Sequence, residues 1–284
     1  QGFLDKEEYL SSYAIDMFSI ATLEETKEID LGPKKSRKAI EKVFEKFNIP
    51  QEESKNISLN LKSDIPVGKG MASSTADIGA TIKATLSILN KNLNDEEISF
   101  MASEIEPTDS IILYENSIFN PVNGTVKKYL SSIDNGRVII LEPKDILETK
   151  IIRSNPNYLN IKLENKSIIN KSFDLLEKGL KNNDLKLIGE ACTLSAIANE
   201  NIHKKPYLNE VIEISQSMNA YGVNIAHSGT VVGILIDENM DYEKIINHLK
   251  NQPLSDYYKK IHLANIIGHE KREELEWNML KTLK

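Results

Sequence analysis

Three stretches of this sequence carry residue types that could do chemistry together. The first is Pro66-Val-Gly-Lys-Gly-Met-Ala-Ser-Ser-Thr75. Gly68 and Gly70 tolerate positive φ and let a backbone come close to an anion. Ser73, Ser74 and Thr75 place three hydroxyls at the start of a following helix, within reach of phosphate oxygens or a Mg²⁺ ion. A loop between strand and helix also aims backbone N–H groups and the positive end of the helix dipole at one point. Two familiar loops are excluded. A Walker A loop needs Gly-Lys followed by Ser or Thr, but Gly70 follows Lys69, and a dinucleotide fingerprint needs glycine where Ser73 stands. A two-glycine turn alone reads as a bare strand-to-helix connection; the hydroxyl cluster moves the reading toward phosphate.

The second stretch is Glu104-Ile-Glu106-Pro-Thr-Asp109-Ser110. Three acids at a helix end and a proline turn offer metal ligands and a catalytic base, the two things phosphoryl transfer asks of carboxylates. On its own the stretch reads rather as a solvated turn in which Asp109 makes a local Asx bond. The third is Ala226-His227-Ser228-Gly229-Thr230 between two apolar runs, either a hairpin turn or hydroxyls and N–H groups that close a site. Asp16, an acid between two apolar segments, is either a substrate contact or a strand end. His203, His248, His262 and His269 show no metal-ligand spacing.

These stretches need elements to hold them. Residues 8–15 and 17–25 read as strands, Pro33 opens a helix over 34–47, and 56–62 alternates as a half-buried strand leading into the glycine loop. Apolar Ile78, Ile82, Leu86 and Leu89 predict a helix over 71–89, and Asn94 or Asp95 caps another over 95–104. Strands are expected at 110–114 and 137–141, with a turn at Asn123-Gly124 or Asn135-Gly136. Helices over 162–180, 184–202 and 208–218 follow, then strands at 222–226 and 230–236, a helix at 242–250, a strand at 258–266 and a terminal helix from His269. The pattern is α+β in two halves, 1–150 and 151–284. The run Lys34, Lys35, Arg37, Lys38 suggests an anion site, though a solvated helix face is the simpler reading.

Composition narrows the classes. A net charge of −7 over 284 residues argues against nucleic-acid binding through bulk electrostatics. The single cysteine, Cys192, leaves no intramolecular disulfide and argues against a Cys-based zinc site, as expected of a cytoplasmic chain. No apolar run is long enough to span a bilayer. The sequence opens on Gln1 rather than Met, so a segment upstream of it is expected.

Taken together, the blocks resemble a family. Pro66-x-Gly68-x-Gly70-Met-Ala-Ser73-Ser74 resembles the second motif of the GHMP kinases, and Ser228-Gly229-Thr230 a shortened form of their third. Lys69 to Asp77, Glu106 to Ser110 and Ala226 to Val231 are most similar to the L-threonine kinase branch, the source of the aminopropanol linker of adenosylcobalamin. The resemblance implies a two-lobed fold, with a ribosomal-S5-like N-terminal half containing a left-handed β-α-β unit and an α+β C-terminal half. It implies ATP with its phosphates over Pro66, Gly68, Lys69, Gly70, Met71, Ala72, Ser73, Ser74 and Thr75, and Mg²⁺ on Ser74 or Ser73 with Glu104 or Glu106. Asp109 would polarise the acceptor hydroxyl of a small molecule such as L-threonine. Asp16, His227, Ser228, Gly229 and Thr230 would contact substrate or close the site. The family's first motif is absent, and Gln1-Gly2 is similar to its last residues.

Overall fold

The computed structural model describes residues 1–4, 7–26, 32–133, 135–144, 157–226 and 229–282. The chain opens with a short antiparallel pair, β1 (Gly2–Leu4) and β2 (Glu7–Tyr9), and then β3 (Ser19–Glu25). Helix α1 (Lys34–Lys46) follows Pro33, whose φ of −65° already suits a helix. Its Ala39, Ile40, Val43 and Phe44 are buried, the stripe that the 3.6-residue period predicts. After the short α2 (Gln51–Ser54), β4 (Ile57–Ser63) pairs antiparallel with β3, Ser19 opposite Ser63 and Glu25 opposite Ile57. The strands thus lie side by side with α1 between them in sequence, and β4 delivers the chain into the glycine loop.

Helix α3 (Ser73–Ile88) leaves that loop and packs Ile78, Ile82 and Leu86 against Ala39 and Val43 of α1. Helix α4 (Asp95–Ser103) starts in a capping box: Glu97 N–H donates to Asn94 Oδ1 at 2.9 Å, and Asn94 N–H donates to Glu97 Oε2 at 3.0 Å. The strand expected at 110–114 is instead a single 3₁₀ turn, Ser110–Ile112, with Asp109 at its N-cap. The short apolar run is buried because the turn is buried, and periodicity alone cannot separate these cases. The strands lie just beyond, as a hairpin of β5 (Asn116–Asn120) and β6 (Thr125–Leu130).

Strand β7 (Gly136–Pro143) is buried almost throughout, and it is central in a sheet built with later segments. The order is β10-β7-β9-β8, all antiparallel, with β8 (Gly222–Ile225), β9 (Val232–Asp237) and β10 (Tyr258–Asn265). The helices of this half are α5 (Tyr158–Glu164), α6 (Lys166–Asn182), α7 (Leu185–Glu200), α8 (Leu208–Ser217) and α9 (Tyr242–Lys250). A last helix, α10 (His269–Thr282), follows β10. The helix expected over 162–180 is therefore two, broken at Asn165. One face of the four-stranded sheet packs Ile139, Leu141 and Ile234 against Leu208 and Val211 of α8 and Ile245 and Leu249 of α9. The other face carries Val138, Ile140 and Gly233 and looks into a cavity. Among the described residues no helix is long and apolar enough to cross a membrane.

Candidate functional site

The glycine loop is shaped by alternating handedness. Gly68, Gly70 and Ala72 have φ of 71°, 84° and 56°. Such alternation turns successive N–H groups toward a common centre, the concavity that binds anions in phosphate sites. Ala72 takes this conformation at a cost of about 1–2 kcal/mol, because its Cβ crowds the following carbonyl. It is also the N-cap of α3, with no side chain capping the helix and no acid in the first turn. The first N–H groups of the helix have no intrahelical acceptor, and no acid of the helix's own first turn faces its positive end.

The third stretch closes against this loop. A Cβ on Gly70 would lie 2.5 Å from Gly229 Cα, and one on Gly229 would lie 2.0 Å from Lys69 O. Only two glycines allow backbones this close. Thr230 N–H donates to Lys69 O at 3.0 Å, and Thr230 is buried. His227 and Ser228 lie outside the described residues. The Lys69 side chain does not reach outward: its ammonium donates to Pro143 O at 2.6 Å and Lys144 O at 3.0 Å, tying the loop to the end of β7.

The acidic stretch divides. Glu104 is exposed and faces Lys42 at 3.4 Å. Glu106, two residues on, turns to the start of α3, where Oε1 accepts a short hydrogen bond from Ser74 Oγ. Lys35 of α1 joins them, 2.5 Å from Glu106 Oε2 and 3.1 Å from Ser74 Oγ. Two hard oxygen donors therefore meet beside the loop, with the Lys35 ammonium on both; such oxygens, completed by phosphate oxygens and water, are the kind that holds Mg²⁺. A cluster of three or more His, Cys, Asp or Glu side chains is not found among the described residues, so a metal here would depend on such outside oxygens.

Thr75 links the helix start to Asp109. Its buried Oγ1 accepts from Asp109 N–H and from Thr108 Oγ1, each at 3.2 Å. The Asp109 carboxylate lines the cavity, and its Oδ1 is shielded from solvent and accepts no hydrogen bond from the described residues. Burial raises its pKa, and hydrogen bonding from Ser12 and the N–H groups of Ser110 and Ile111 offsets this only in part. An acid so placed is poised to take a proton from a bound hydroxyl.

The cavity, about 770 Å³, is bounded by Gly70, Met71, Ala72, Thr75 and Asp109 on one side and by Tyr13, Cys192, Ser195, Asn199 and Asn224 on another. Asn224 Oδ1 is buried and accepts no hydrogen bond from the described residues. Burial pushes the Cys192 thiol up to about 11 and raises the Tyr13 hydroxyl as well, so both stay neutral near pH 7. Asp16 is not brought to this wall; its carboxylate accepts from Asn265 N–H at 2.8 Å and from Asn265 Nδ2. Lys35, Tyr13 and Asn224 were not singled out in the sequence. Lys35 belongs to a basic run that reads as an anion site or, more simply, as a solvated face, and Tyr13 and Asn224 lie in strand-like runs.

Comparison with known proteins fits this geometry. The family model described as GHMP kinases N terminal domain matches residues 34–114, and that described as GHMP kinases C terminal matches residues 176–255. The chain belongs to the GHMP kinases. This GHMP kinase is 29% identical over 269 residues to an L-threonine kinase of Salmonella typhimurium (strain LT2), across 94% of this chain and 89% of that protein. An L-threonine kinase of Citrobacter freundii is 28% identical over 272 residues, across 94% and 93% of the two chains. Among solved structures, the Methanococcus jannaschii mevalonate kinase aligns with a TM-score of 0.63 at 21% identity, covering 91% of each chain. At that identity the likeness is one of fold. Members of the family are ATP-dependent kinases of small molecules, and the expected α+β architecture is the one observed.

Proposed function

We propose that this GHMP kinase transfers the γ-phosphoryl group of ATP to the side-chain hydroxyl of L-threonine, giving O-phospho-L-threonine and ADP. The observation that carries the reading is that the left-handed loop at 68–72 and the Asp109 carboxylate border one cavity and are joined through Thr75. The choice of threonine rests on the similarity to the two L-threonine kinases across nearly the whole chain. The product would serve as precursor of the aminopropanol linker of adenosylcobalamin.

In this reading the loop N–H groups and the start of α3 cradle the phosphates. Asp109 accepts the hydroxyl proton as the threonine oxygen forms its bond to the γ-phosphorus. The bond from that phosphorus to the β–γ bridging oxygen breaks, and ADP departs with the electron pair. Ser74 and Glu106 are the residues that would hold Mg²⁺, whose bound charge neutralises the phosphates. The Tyr13 and Asn224 wall offers neutral hydrogen-bonding groups to the amino acid's ammonium and carboxylate.

A panel of acceptor alcohols with coupled detection of ADP tests the assignment. Threonine is expected to turn over fastest. Phosphorylation of mevalonate or homoserine but not threonine would overturn the acceptor, and ATP binding without ADP release from any acceptor would indicate a nucleotide sensor on a kinase fold.

A further inference from the structure

The turn that carries Asp109 is gripped from the far end of the chain. In the first turn of α10, Arg272 uses one guanidinium nitrogen, Nη1, to donate to Ile111 O at 2.7 Å and Leu113 O at 2.8 Å. Both carbonyls belong to the segment just after Asp109, where a lone 3₁₀ turn leaves its last acceptors without partners in the turn. Bonds from a charged donor are about twice as strong as neutral ones. The same guanidinium lies 4.7 Å from the centre of the Tyr114 ring, and Lys83 lies 4.7 Å from it as well. Arg272 thus continues the grip to the residue that follows Leu113.

Its place in α10 shows what it is for. A cation in the first turn of a helix faces the positive end of the dipole and costs α10 stability. The contacts it makes are to the catalytic turn. At the other edge of that turn Thr75 holds the Asp109 N–H, and Ser110 Oγ accepts from Ser12 N–H at 3.3 Å. The segment is pinned on entry by Thr75 and on exit by Arg272.

We infer that Arg272 is a positioning residue for phosphoryl transfer, holding the Asp109 carboxylate in register with the acceptor hydroxyl through the 110–113 turn. The inference rests on the reading of Asp109 as the base. A displacement of one ångström at a reacting group can cost about a hundredfold in rate, so loss of the clamp should appear in turnover rather than in binding.

The test is a double-mutant cycle on kcat with Arg272→Ala, Asp109→Asn and the pair. Arg272→Gln is made alongside in case the alanine variant folds poorly, and each variant's thermal midpoint is recorded. Arg272→Ala and Arg272→Gln are expected to lower kcat by about ten- to hundredfold, with KM for ATP and threonine within about threefold of the parent. The pair should be no slower than Asp109→Asn alone, because the clamp acts through that carboxylate. Added guanidinium should restore part of the turnover of Arg272→Ala and none to Asp109→Asn. Losses that multiply in the pair, or single Arg272 variants with kcat within about twofold of the parent, would overturn the inference while leaving the base assignment intact. Near-parental turnover in Asp109→Asn would sink the base assignment itself, and the clamp would go with it.

Discussion

Glu104 and Glu106 are two residues apart and chemically alike, yet only one of them reaches Ser74. Glu106→Gln should raise the Mg²⁺ concentration for half-maximal rate by at least about tenfold, the loss typical of disturbing a metal's protein shell. Glu104→Gln should leave it within about twofold, since its partner is the surface residue Lys42. Titrating Mg²⁺ at saturating ATP, with Mn²⁺ binding followed by electron paramagnetic resonance, separates the two. Asp109 carries a second prediction. Its carboxyl pKa is raised by burial, and it must be ionised to accept a proton. The acid limb of kcat/KM should therefore lie above the ordinary aspartate value of about 3.9. The same shift favours the protonated form in the fold: its stabilising contribution is complete below the unfolded aspartate pKa and is lost as pH rises through the raised one. Asp109→Asn should consequently turn over orders of magnitude more slowly and yet melt a few degrees higher at pH 7. A lower midpoint would contradict the burial argument. Part of this scale was legible: the glycines in 66–75 announce a loop that takes positive φ, as Gly68 and Gly70 do. Ala72 as a left-handed N-cap was not, because alanine has no preference for that conformation. Nor was Lys35, since a helix period says which residues face out but not what stands opposite them.

The elements bring the two glycine segments into contact, and the contact is backbone on backbone. Gly229→Ala places a Cβ 2.0 Å from Lys69 O, an atom of the main chain that cannot rotate aside. The two loops must separate, and KM for ATP should rise about tenfold or more while the far-UV spectrum stays native. An unchanged KM would mean that the Gly229 segment has no part in shaping the phosphate loop. Most elements followed from periodicity, as in α1, where Ala39, Ile40, Val43 and Phe44 all face the core. The 110–114 segment did not follow, because a buried 3₁₀ turn and a short buried strand carry the same apolar residues. The hairpin at 116–130 was hidden for a related reason: β6 is largely exposed and reads as polar.

At the scale of the molecule, residues from Ser12 to Asn224 border one cavity, and β7 is central in a sheet whose other strands all lie beyond residue 220. The glycine loop is likewise tied to both Pro143 and Thr230. A ligand in this cavity should therefore stabilise the chain as one unit. A non-hydrolysable ATP analogue with Mg²⁺ at a hundred times its Kd should add about 2.7 kcal/mol. Calorimetry should show one transition moving upward by several degrees; two transitions of which only one moves would show that the interlock does not couple the chain.

The hydrogen bond from Arg272 to Ile111 spans 161 residues of sequence. Synthesis at about 5–20 residues per second separates the two by roughly 8–30 s. Throughout that interval the growing chain already contains its glycine loop and Asp109, while Arg272 has not been made. On the inference that Arg272 positions Asp109, full turnover is acquired only once Arg272 has been made, and a chain stalled before it would turn over slowly.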